Sequence, residues 1–307
     1  MKSVLVFIFL VLSYYSMFSA TYLVSNGNHP SADFTTIAAA VTGSADGDTL
    51  YIDGTGSTYG SLTLSAPRVI IGNGYFGQES GYGQSAVLGT VTIQVSATNS
   101  QLIGLTLGSV SVSASSVILQ RCYITSTQTL NADGIVVKQC YIAGFVNIQS
   151  TNTNAVFDHC IFNYSTTGTI LTDLGTGTFI DFNTFYKGNL SLGTATYSNC
   201  IFNQTKVASL TGGTDAGGNI SDTETNLTFP ATAATDDELK LTAGSSALTT
   251  SLEAGESGAF GFLSGSENSV YRLSGIPPIP IISSIQAAST SKEGSNLSIT
   301  IEAKTNN

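Results

Sequence analysis

One short phrase returns through residues 116–203 and narrows what this chain can fold into. It reads Arg121-Cys122-Tyr123-Ile124, Gln139-Cys140-Tyr141-Ile142, His159-Cys160-Ile161-Phe162-Asn163 and Asn199-Cys200-Ile201-Phe202-Asn203. A weaker copy, Asn183-Thr184-Phe185-Tyr186, falls between the last two. With Thr184 in the cysteine place, the steps are 18, 20, 24 and 16 residues. Apolar runs precede the copies: Val117-Ile118-Leu119, Ile135-Val136-Val137 and Ala155-Val156-Phe157. A period near twenty without helical periodicity marks a β-solenoid, whose coils bury their apolar faces only against one another.

A second set of short strands supports the same reading: Leu62-Thr63-Leu64, Val91-Thr92-Ile93, Val110-Ser111-Val112, Val146-Asn147-Ile148 and Leu190-Ser191-Leu192. Alternation turns each apolar pair inward and Thr63, Thr92, Ser111, Asn147 and Ser191 outward. Each coil then carries at least two strands, and some eight coils make a rod ~38 Å long at ~4.8 Å per rung. Composition agrees, with 32 Gly, no Trp and only 10 % charged residues among 307. A net charge of −10 with few Lys and Arg argues against nucleic acid or an anionic membrane as partner. All four cysteines sit in the phrase. Stacked side chains on parallel rungs point the same way, which disfavours the disulfide dihedral, so free buried thiols are expected. There is no CxxC metal site.

Residues 1–20 read as a secretory signal peptide. Lys2 precedes the apolar run Val4 to Leu12, and Phe18-Ser19-Ala20 precedes Thr21. That run is short for a membrane span and is broken by Ser13, Ser16 and Ser19. The expected location is extracellular or cell-surface, with no membrane span once the leader is removed.

Asp33 to Val41 predicts a short helix, with Asp33 or Thr35 as N-cap, covering the open bottom of the first coil. Phe34-Thr35-Thr36-Ile37 and Ala45-Asp46-Gly47-Asp48-Thr49-Leu50-Tyr51-Ile52 open the mature chain. Asp237-Glu238-Leu239-Lys240-Leu241-Thr242-Ala243-Gly244-Ser245-Ser246-Ala247 and Gly258-Ala259-Phe260-Gly261 come near its end. On these phrases the chain resembles secreted bacterial β-helix proteins of the pectin-lyase-like superfamily, over residues 21–283. The resemblance implies an all-β, right-handed parallel β-helix (solenoid) with a short N-terminal capping helix. It does not imply one activity, because the superfamily holds lyases, hydrolases and adhesins. The β-helix is expected over 21–265, with a Pro-containing C-terminal extension over 266–307. Gly72 to Ser85 predicts a loop projecting from the rod, and Phe229 to Phe262 irregular chain wrapping the last coils. Gly275 to Pro280 is stiff, and Asn296 to Ala303 alternates like a strand.

Lyases on this fold need a base beside a uronic carboxylate and a group that neutralises that acid, often Ca²⁺ on acidic side chains. Lys138 and Asp158, each two residues before a cysteine, stack on the outer face with Arg121 nearby. A lyase would use Lys138 as base and Asp158 as metal ligand; the plainer reading is a cross-rung ion pair. His159 shares a column with Arg121, Gln139, Asn183 and Asn199, as a polar ladder at a corner. A hydrolase needs two convergent carboxylates, whereas Asp133, Asp158, Asp173 and Asp181 occupy unmatched coil positions. Aligning Thr184 with the cysteines turns Asp181 inward; a shift of one puts Phe182 there. Tyr75, Phe76 and Tyr82 would stack on sugar rings or fold back over the rod. Ile118, Val136 and Val156, beside inward Leu119, Val137 and Phe157, call for a covering segment such as the C-terminal tail. The leading expectation is a non-catalytic protein without metal or cofactor, binding polysaccharide or cell-surface glycan, or serving as a rigid spacer. Its competitor is a polysaccharide lyase or glycoside hydrolase on an acidic polysaccharide, with Ca²⁺ entering only for a lyase. An ice- or mineral-binding surface ranks third, since the outer Thr/Ser column is one residue wide.

Overall fold

In the computed structural model, the described residues are 19–76, 84–149, 151–164, 168–172, 174–265, 270–287 and 299–304. Apart from Ser19 and Ala20, the expected leader lies outside them, as do Tyr82 and Asp173. Three parallel sheets of ten, eight and eight strands stack coil on coil as a right-handed parallel β-helix of about nine turns. One coil runs Ile118–Gln120 in sheet 1, Tyr123–Ile124 in sheet 2 and Gln128–Leu130 in sheet 3, then enters sheet 1 again at Val136–Lys138. Strands of two to four residues suffice because each pairs above and below along the rod.

Alternation decides which side chains go in. Leu119, Val137, Phe157 and Ile180 align on adjacent rungs of sheet 1, and all are buried. Phe162, Phe185 and Phe202 stack inside sheet 2 with ring centroids 4.6 and 5.2 Å apart. Fully burying such a ring contributes about 2–3 kcal/mol, so these columns are the main stabilising term of the interior.

At the bottom, the capping helix spans Ile37–Gly43 and buries Ile37 and Ala40. Its N-cap is Thr36, whose hydroxyl accepts from the Ala39 N–H at 3.2 Å, rather than Asp33 or Thr35. Asp33 is otherwise occupied: its Oδ2 accepts from the Leu23 N–H at 2.7 Å and ties the helix entrance to the first strand.

The weaker copy of the phrase is one residue out of the expected register. Ile161 pairs with Thr184 and Thr184 with Ile201, so Asn183 stands in the cysteine column and the steps there are 23 and 17 residues. Phe182 moves into the corner column assigned to Asn183, and Asp181 faces outward beside Asp158. Backbone geometry explains the choice. The residue before the column turns the chain in the left-handed region, with φ of 53° at Arg121, 55° at Gln139, 50° at His159, 49° at Phe182 and 52° at Asn199. The residue after it then bonds backward. Cys140, Cys160 and Cys200 thiols reach the Leu119, Val137 and Ile180 carbonyls at 3.4, 3.4 and 3.6 Å. Asn183 does the same to Phe157 O at 2.8 Å and also accepts from the Cys160 N–H at 2.8 Å. The four thiols are free and buried. Burial pushes the Cys122, Cys140 and Cys200 thiols well up, so they remain protonated.

Past the last coils the chain turns back and covers sheet 2. Its outward residues Tyr141, Ile161 and Ile201 form a second core with Leu227, Phe229, Leu239, Ala247, Ala259 and Tyr271. Tyr271 belongs to this second core, and Leu273 packs against it. Beyond the proline segment, Ile281–Ala287 pairs antiparallel with Ile299–Lys304.

Candidate functional site

Three long outer faces are available for function, one per sheet, and their side chains differ sharply.

The face of sheet 2 is closed. The corner column grips the returning chain rung by rung as it descends. Asn199 Oδ1 accepts from the Leu252 N–H at 2.9 Å, and His159 Nε2 meets the Gly261 carbonyl at 2.9 Å. Gln139 Nε2 donates to Val270 O at 2.6 Å, and Arg121 donates to Ile276 O at 2.8 Å. Arg121 also donates to Gln139 Oε1 at 2.8 Å and is only 2 % exposed. Burial first, then the charge of Arg272, lowers its pKa to about 10. Arg121 is thus a strut between helix and wrap. His159 is likewise structural, with Nδ1 on Asp158 Oδ1 at 2.6 Å and its ring stacked on Phe182 at 4.9 Å.

Tyr75 and Phe76, the described loop aromatics, belong to this closed face too. Tyr75 is fully buried, its hydroxyl bonded to Tyr271, leaving no ring face for a sugar. Phe76 is half-buried between Tyr123 and Tyr141, at centroid distances of 5.1 and 5.6 Å. The described start of the loop thus lies on the rod instead of projecting, because aromatic Tyr123 and Tyr141 offer it apolar surface.

The face of sheet 1 carries Lys138 and Asp158 on adjacent rungs, as expected. No ion pair joins them: Asp158 is bonded to His159. Asp181, on the next rung, accepts from Ser198 Oγ at 2.7 Å and Asn199 Nδ2 at 2.9 Å. Arg121 is bonded to the wrap at Ile276 O and Asp158 to its neighbour His159. Ile118, Val136 and Val156 line this face half-exposed, ending in Phe179 at 54 % exposure. Among the described residues no group of three or more His, Cys, Asp or Glu is gathered as for a metal ion.

The face of sheet 3 is open and of one chemical kind. Its central outward column pairs Thr63, Thr92, Ser111, Thr129, Asn147 and Thr172 on successive rungs, and Ser191 and Thr211 continue it. A second column precedes the strands: the Thr90, Ser109, Thr127 and Phe145 carbonyls accept from Leu62, Val91, Val110 and Gln128 at 2.8, 2.8, 3.0 and 2.7 Å. Ser109 Oγ donates to Thr90 Oγ1 at 3.2 Å across one rung. A third column follows the strands at Gln94, Ser113 and Asn131. Rungs repeat at ~4.8 Å and alternate residues at about 6.6 Å, giving a regular array up to three columns wide. None of the described residues named in these columns is charged, although the chain carries 30 ionisable Lys, Arg, Asp and Glu. Phe145, half-exposed and part of neither core, is its aromatic member.

Sequence reading found five members of the central column and missed its width. Thr129 escaped because its inward neighbour is Gln128, which hides the apolar–polar–apolar signal. The flanking columns lie just outside the strands, where alternation is not visible in residue type. Compared with models of known families and with curated proteins, the chain matches none. Among the described residues no helix is long and apolar enough to cross a membrane.

Proposed function

We propose that the protein is an exported, non-catalytic member of the pectin-lyase-like β-helices that binds neutral polysaccharide along sheet 3. The observation that carries this reading is the central column of Thr, Ser and Asn side chains on successive rungs, with no charged residue among its described members. An extended glycan presents hydroxyls along its own length. Each direct hydrogen bond contributes only about 0.5–1.5 kcal/mol net, so useful affinity comes from many in register. Phe145 supplies the ring face on which a sugar stacks. The candidate base and metal ligand, Lys138 and Asp158, lie on sheet 1 instead.

Affinity electrophoresis in gels containing xylan, glucomannan or hydroxyethyl cellulose tests it. At least one neutral polymer is expected to retard the protein, and Phe145→Ala and Thr129→Lys to restore its mobility. Free migration in every gel, or retardation unchanged in both variants, contradicts the reading. Unsaturated products from uronic-acid polysaccharides, with or without Ca²⁺, lost in Lys138→Ala, would establish a lyase instead.

The three-column width supports one second reading, a face that orders water against ice. Thermal hysteresis abolished by Thr129→Lys, with no retardation in any gel, would favour it.

A further inference from the structure

We infer that the C-terminal wrap holds a binding site for a small ring compound bearing a carboxylate, on a face separate from the proposed glycan surface. A pocket of about 280 Å³ opens there, lined by Lys240, Phe260, Tyr271, Arg272, Leu273 and Ile276. That volume is close to the lower end for small-molecule sites and suits one ring.

Two cations line this pocket, and none of its lining residues is a carboxylate. The guanidinium of Arg272 has its Nε buried with no hydrogen-bond partner. The Lys240 ammonium stands 6.0 Å from the Phe260 ring centroid, and the ion pairs among the described residues involve neither it nor Arg272. Leaving a buried donor unpaired costs roughly 1–3 kcal/mol, and more for a charged group. Arg272 also lies near enough to Arg121 for the two charges to repel. Uncompensated positive charge is unusual in a chain of net charge −10. A bound carboxylate would satisfy the Arg272 fork and the ammonium together.

The apolar lining narrows the ligand class. Phe260, Leu273 and Ile276 give a wall suited to a ring, whereas sulfate or phosphate would gain nothing from it. The floor is fixed beforehand. Tyr271 donates to Asp236 Oδ2 at 3.0 Å, the Ser274 N–H donates to the same oxygen at 2.6 Å, and the Tyr271 N–H reaches Ala259 O at 2.9 Å. A site already held in shape loses little entropy on binding.

Isothermal titration of the full chain with benzoate, D-glucuronate, D-glucose and sodium sulfate tests this. Saturable binding of benzoate or glucuronate is expected, with glucose and sulfate at least about tenfold weaker. Benzoate alone would point to an aromatic acid as the natural ligand, and glucuronate alone to the end of an acidic glycan. Arg272→Met and Lys240→Met should each weaken the ring carboxylate about tenfold or more. Lys240 is exposed, so its variant folds even if Arg272→Met does not. Retardation in the neutral-polymer gels should be unchanged in Lys240→Met, which keeps the two sites distinguishable. No heat with either ring carboxylate, or binding indifferent to Lys240→Met, overturns the proposal.

Discussion

Asn183 shows how one side chain sets a coil. Its amide donates to Phe157 O at 2.8 Å and Asp181 O at 2.9 Å, and its carbonyl accepts from the Cys160 N–H at 2.8 Å. Asn183→Ala would strand these groups in a buried corner and should destabilise the fold by about 2–4 kcal/mol in urea unfolding. Asn183→Cys, which restores the neighbouring rungs' contacts, should cost less than half as much. Equal losses would mean that the column does not carry the corner. Gln128 is the opposite case, for it points inward between Val110 and Val146 with both amide atoms unpartnered. Gln128→Leu should therefore stabilise the protein by about 1–3 kcal/mol, read as a higher urea midpoint. A lower midpoint would show that a bound water or other partner satisfies the amide. At this scale the cysteines were legible in the sequence, but the Asn183 register was not. What places Asn183 is the left-handed corner at Phe182, a conformation that residue type does not announce.

Among the elements, the wrap decides which faces stay free. Sequence pattern gave its residues fairly well but not its seat. The stripe Ile118, Val136 and Val156 seemed to need cover, yet the large aromatics of sheet 2 took it. Tyr123 and Tyr141 bury more apolar area than β-branched residues, and the corner column beside them supplies hydrogen bonds for the returning backbone. Lys206 holds the start of the wrap. It pairs with Glu224, donates to Tyr186 Oη at 2.6 Å and reaches the Ala231 carbonyl. Burial alone would lower its pKa, but Glu224 and Tyr186 outweigh that and raise it above 10.5. A raised lysine stabilises the fold fully below the unfolded value and loses that contribution as pH climbs through the folded one. The stability gap between wild type and Lys206→Met should therefore hold constant up to pH 10.5 and narrow above it. A gap that stays unchanged well above pH 10.5 would contradict this account of Lys206.

For the whole molecule, a rod built of repeated coils gives each sheet one long face, and the chain treats the three differently. Among the described residues, sheet 2 is sealed, sheet 1 mixes aliphatic and ionisable side chains, and sheet 3 is hydroxyl-rich and uncharged along its outward central column. The solenoid itself was plain from a twenty-residue period, because coil stacking must repeat its inward residues. The binding face was only partly plain, since exposed Thr and Ser in a Ser/Thr-rich chain look alike wherever they fall. Position within the winding is what distinguishes them. The most direct measurement is hydroxyl-radical footprinting with and without a retarding neutral polysaccharide, comparing Phe145 on sheet 3 with Phe179 on sheet 1. The polymer should slow oxidation of Phe145 and leave the 54 % exposed Phe179 unchanged. Protection of Phe179 with Phe145 unaffected would move the contact to sheet 1 and contradict the assignment.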